Sequence, residues 1–234
     1  MATNATVSAP AVLSYYTLQK TVGIIALSLP FILAGGTILE SELRPAHILP
    51  RPVVQRSISD YYYTPARNVL VGSLCAIATI LICSRGYELR DEVTGWVAGL
   101  ATLGVALCPS VNPQASGRYD HLELGLGLAH AAFASVMFLA LAYFCLVLFR
   151  KSAPGRKPTR AKLRRNKLYT VCGVVIMLCN VVMASQLSPH IYRMLMPYYP
   201  LFCSETLALA AFGVAWLTKG NGILKDRPPR LPEL

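Results

Sequence analysis

Residues 164–186 read RRNKLYTVCGVVIMLCNVVMASQ, and this stretch decides the fold. Arg164, Arg165 and Lys167 give way at Leu168 to an uncharged stretch whose first 19 residues, to Gln186, are largely apolar. A bilayer core about 30 Å thick takes about 20 apolar residues of helix, because hydrocarbon offers no partner for backbone N–H and C=O groups. The run therefore predicts a spanning helix, Leu168–Gln186, with its cationic flank on the cytoplasmic side.

Working outward, five further stretches have the same character: Thr21–Leu39, Pro65–Arg85, Val93–Val111, Leu122–Phe149 and Tyr199–Thr218. The chain is thus expected to be all-α, a polytopic membrane protein with six transmembrane helices in one bundle. Its organisation reads as a cytoplasmic segment 1–20, a six-helix domain 21–218 and a cytoplasmic tail 219–234. The uncharged length of the first stretch exceeds an ordinary signal-peptide core, so it reads as an uncleaved span. Thr64 and Pro65 start the second span as cap and first helical residue, and Arg85-Gly86 end it. Gly95, Gly99 and Gly104 give the third a small-residue face suited to close helix contact.

Composition agrees: 54% of residues are hydrophobic, 14% are charged and the mean hydropathy is +0.48. Those values exclude an ordinary soluble domain. The net charge of +11 brings no stacking-aromatic groove or nucleic-acid motif with it, so no nucleic-acid partner is expected. With Arg67 and Arg85, at the two ends of the second span, counted in the loops they adjoin, Lys and Arg number one before the first span, then four, two, one, nine and one in the loops, and four in the tail, which puts 16 on one side and 6 on the other. The positive-inside rule places both termini and the segment 150–167 in the cytoplasm, in a plasma membrane or a bacterial inner membrane. That basic segment could also attract anionic lipid or a cytoplasmic partner. The seven cysteines form no CxxC pair and read as buried free thiols.

Polar groups inside spans are functional candidates by default, since burying them in hydrocarbon is costly. Glu205, His130 and Asn180 fall at one level, roughly 9 to 12 Å below the outer surface at 1.5 Å of rise per residue. Glu123 shares the face of His130. Above them lies the segment from Ser57 to Thr64, leading into Arg67 and Asn68. A ligand pocket of Ser59, Asp60, Arg67, Asn68, His130, Asn180 and Glu205 is the consequence, with Arg67 toward phosphate and Asp60 orienting it. A purely structural network fixing helix register uses the same groups. No metal site is expected: His121, His130, His190 and Asp60 lack ligand spacing, and no HxxxH or HExxH occurs. No other cofactor is indicated. A serine nucleophile at Ser57 or Ser59 with His130 as base lacks a GxSxG elbow.

Ile58-Ser59-Asp60, His130 and Glu205, together with helix number and loop order, resemble the DRAM-like six-span membrane proteins. That group includes the damage-regulated autophagy modulators, the GPI-anchor remodelling proteins and yeast proteins linked to phosphoinositide kinase placement. Bacterial members of unknown function look similar from Ser57 to Gly72. Where the autophagy type follows Ile-Ser-Asp with Thr-Gly and a proline pair, this chain has Tyr61 to Thr64 and Pro65 alone. The resemblance implies a lipid-associated protein with an outer-side polar cluster. Three functions follow from the residues: non-enzymatic recognition of a lipid head group; an intramembrane lipid hydrolase or acyl transferase, with His130 as base and Glu205 holding its tautomer; or a small transporter relaying protons through Glu205 and His130.

Overall fold

A computed structural model describes residues 9–43, 54–84, 88–112, 120–152, 158–220 and 223, with side chains from Tyr15 onward. Among the described residues every regular element is helical. The seven α-helices are α1 (Ala9–Leu43), α2 (Arg67–Cys83), α3 (Leu89–Leu107), α4 (His121–Tyr143), α5 (Arg160–Ser185), α6 (Pro189–Leu195) and α7 (Pro200–Lys219). A 3-10 turn, Ser59–Tyr63, precedes α2, and a single π turn, Phe144–Leu148, prolongs α4.

The long helices pack in chain order, and α7 returns against α1, so α1, α2, α3, α4, α5 and α7 close into a ring. Four segments are long and apolar enough to cross a bilayer: Tyr15–Leu43, His121–Leu148, Arg160–Ser185 and Pro200–Lys219. Helix α2 is apolar but has only 17 residues, and α3 opens on Arg90, Asp91 and Glu92. Large apolar side chains face away from the ring; Phe31 is 70% exposed, Leu178 62% and Val181 64%. A soluble protein would leave that surface in water, whereas lipid accepts it. The chain is a membrane-embedded helical protein.

Close approach sets the ring's geometry at its glycines. A Cβ at Gly95 would stand 2.8 Å from the Leu81 carbonyl oxygen, and one at Gly99 the same distance from that of Ala78, so the small face of α3 is what lets α2 lie against it. Gly213 of α7 meets α1 in the same way, 2.8 Å from the Gly23 carbonyl. One end of the interior is filled by Phe144, Phe149, Tyr169, Phe212 and Trp216, with ring centroids 4.9 to 5.7 Å apart in the closest pairs. At that end Lys151 bridges Glu88 at 3.1 Å and Asp91 at 2.7 Å, tying the start of α3 to the chain beyond α4.

Helix ends differ from the apolar stretches because apolar length measures hydrocarbon, whereas a helix runs on until its caps stop it. The second half of the basic segment is helical: Thr159 accepts a 3.1 Å hydrogen bond from the Lys162 N–H, and α5 starts at Arg160 rather than Leu168. Helix α1 begins at Ala9, inside the segment read as N-terminal. The segment between α5 and α7, expected as a plain loop, carries α6 and a 3-10 turn over Met196–Tyr198. Arg85 and Gly86, read as the second span's stop, lie outside the described residues, as do 153–157 and most of the tail.

Candidate functional site

The site is at the end of the ring opposite the aromatic cluster. Helix α7 starts sharply, since Tyr199 takes a left-handed backbone conformation, φ 50°, and Pro200 needs no N–H partner in the first turn. The Phe202 N–H, one of the donors a helix start leaves free, bonds the Arg56 carbonyl at 2.9 Å. This pins the chain before the 3-10 turn onto α7. One turn into α7, the half-buried Glu205 carboxylate accepts from the Ser57 hydroxyl at 2.8 and 2.9 Å and from the Ile58 N–H at 2.5 Å. Ser57 Oγ in turn accepts from the Ser59 N–H at 3.0 Å. Glu205 is therefore a clamp on residues 57–59.

The clamp sets the Ser59 hydroxyl 2.9 Å from Nε2 of His130, which α4 delivers buried, while Glu205 Oε1 is 3.5 Å from the same hydroxyl. The other ring nitrogen, Nδ1, lies 2.7 Å from the Cys108 carbonyl oxygen. A carbonyl only accepts, so Nδ1 carries the proton, and in the neutral ring Nε2 accepts from Ser59. The imidazole is thus oriented by the backbone at the end of α3 and not by Glu205, the partner expected from sequence.

Asp60 is buried beside this set. Its carboxylate accepts from the Ser110 hydroxyl at 3.5 Å, and the Tyr63 hydroxyl donates to the Ser110 carbonyl. Burial pushes the Asp60 carboxyl up to about 6, against the Ser110 hydrogen bond and the charge of Arg56. Arg67 lies with its guanidinium carbon 4.1 Å above the Tyr62 ring and donates to the Tyr62 hydroxyl, so Tyr62 orients it in place of Asp60. Asn68 is exposed at the start of α2.

Asn180 does not join the hydrogen-bonded set. On α5, Ile176 and Cys179 turn inward, and Asn180 comes one residue, about 100° of helix rotation, past Cys179. Its Oδ1 is buried without a hydrogen bond. Shared depth along helices brings groups to one level; only rotation brings them together.

Ser59, Tyr62, His130 and Glu205 border a cavity whose remaining wall is largely apolar, including Leu29, Leu70, Leu74, Met137, Phe138 and Leu209. Its free volume is about 30 Å³. That holds water but not an acyl chain, so a larger ligand must part the flexible Leu and Met side chains. Sequence reasoning expected a polar pocket but missed the cavity's apolar walls, the Cys108 carbonyl and the Tyr62–Arg67 pair. A backbone acceptor has no side-chain signature, whereas Tyr62 stood five residues from Arg67, within reach across one turn.

Fold and site together define a membrane-embedded helical protein with a half-buried serine, a buried imidazole and a half-buried carboxylate drawn from three separate segments. Comparison with family models, with curated proteins and with solved structures returned no match.

Proposed function

We propose that the chain is a six-span membrane protein, both termini cytoplasmic, that holds a membrane lipid by its polar end at Ser59, His130 and Glu205. The observation that carries this is a hydrogen-bonded polar set bordering a cavity with otherwise apolar walls, the combination an amphiphile needs. Arg56 and Arg67 are exposed at either end of the segment that bears Ser59, where guanidinium groups suit a lipid phosphate. Helices α2 and α3 supply the two spans beyond the four that are long and apolar enough by themselves, and the basic first turns of α5 face anionic head groups on the cytoplasmic side. Membership of the DRAM-like group is part of this reading, supported by Ile58-Ser59-Asp60, His130 and Glu205.

Native mass spectrometry of the gently extracted protein tests it. Wild type is expected to carry one phospholipid, and Arg67→Ala and Glu205→Gln to carry less than about a tenth as much, the effect of losing one charge-assisted contact. A bare wild-type protein, or equal lipid in all three, overturns the reading.

A further inference from the structure

We infer that Ser59 is a nucleophile and His130 its general base, and that the site cleaves or transfers an acyl ester of a membrane lipid. This rests on the lipid-binding reading and adds chemistry to it. The hydroxyl-to-Nε2 distance of 2.9 Å is within reach for proton abstraction, and the 2.7 Å bond from Nδ1 to the Cys108 carbonyl keeps the lone pair on the nitrogen that faces the hydroxyl. A nucleophile, a base and a group that orients the base are the three parts an activated serine requires. Ser57 is excluded as the nucleophile because its hydroxyl is spent on Glu205 and its oxygen accepts from the Ser59 N–H. Ser59 is half-buried and borders the cavity, so its oxygen is within reach of a bound ester.

The step balances with the groups present. Ser59 Oγ bonds to the ester carbonyl carbon, its proton moves to His130 Nε2, and the carbonyl π pair moves to oxygen. Collapse breaks the bond to the lipid alcohol, which leaves with the proton from Nε2, and the acyl group stays on Ser59. Water, for which the cavity has room, or the hydroxyl of a second lipid then attacks the acyl carbon; Nε2 takes the attacker's proton and returns it to Ser59 Oγ. Tyr62, whose oxygen accepts from Arg67, borders the same cavity, so its phenol O–H is the candidate donor to the developing oxyanion. Glu205 acts as a positioning residue, through Ser57 and Ile58.

The test uses a fluorophosphonate probe on the full chain in phosphatidylcholine nanodiscs, with the adduct located by mass spectrometry. Wild type is expected to carry it on Ser59; Ser59→Ala removes it, and His130→Gln slows its formation at least about 100-fold. Mapping the adduct on wild type needs no variant to fold. An unlabelled Ser59, or an adduct only elsewhere, overturns the inference. If phospholipid still co-purifies in that case, the lipid-binding reading stands alone; if it does not, both fall.

Discussion

At the scale of single residues, Asp60 gives the site a pH response that can be checked. Its carboxyl titrates near 6 in the folded protein against an ordinary 3.8, raised chiefly by burial. A raised carboxylate pKa means that the neutral form is preferred when folded. Its contribution to stability is complete below about 3.8 and is lost as pH rises through about 6. Thermal melting in detergent should therefore show wild type losing stability from about pH 4 to 6, with a smaller loss in Asp60→Asn, since the amide does not ionise. Identical slopes would remove Asp60 as the source. Glu205 and His130 were legible in the sequence because each is an ionisable side chain set in a mostly apolar run. Asn180 was equally conspicuous and misleading, because depth can be counted along a helix more safely than rotation can be matched between helices.

At the scale of elements, the α2–α3 pair depends on having no side chain at Gly99. A Cβ there would stand 2.4 Å from the Ile82 side chain and 2.8 Å from the Ala78 carbonyl oxygen. Ile82 can shift; the carbonyl cannot without moving α2. Gly99→Leu should lower stability by about 1 to 3 kcal/mol, the usual range for overpacking, read as a lower melting temperature in detergent. Gly72, with nothing within 4 Å of a Cβ, should accept alanine at little cost. An undisturbed Gly99→Leu protein would mean that the pair is looser than described. The glycine face was readable from its spacing, and so were the positions of the long helices. Their ends were not, because a cap such as Thr159 sits in polar sequence that a hydrophobicity reading passes over. The 3-10 turn at Ser59 was equally hidden, since it is held by a carboxylate nearly 150 positions further along the chain.

For the whole molecule, the proposed orientation rests on Lys and Arg distribution. Ser152→Cys, placed in the exposed chain between α4 and α5, should react with a membrane-impermeant maleimide only after cells are permeabilised, measured above the wild-type thiol background. Labelling on intact cells would invert the topology and move the Ser59 site to the cytoplasmic face. The ring itself closes where the last long helix meets the first, with Gly213 against Gly23, and the residue that clamps Ser57 to Ser59 rides on that last helix. During translation, then, a nascent chain halted before residue 200 holds the serine and the imidazole but not the carboxylate that seats one against the other. The site matures only once α7 has been made, and any reactivity of Ser59 is withheld from chains halted short of it.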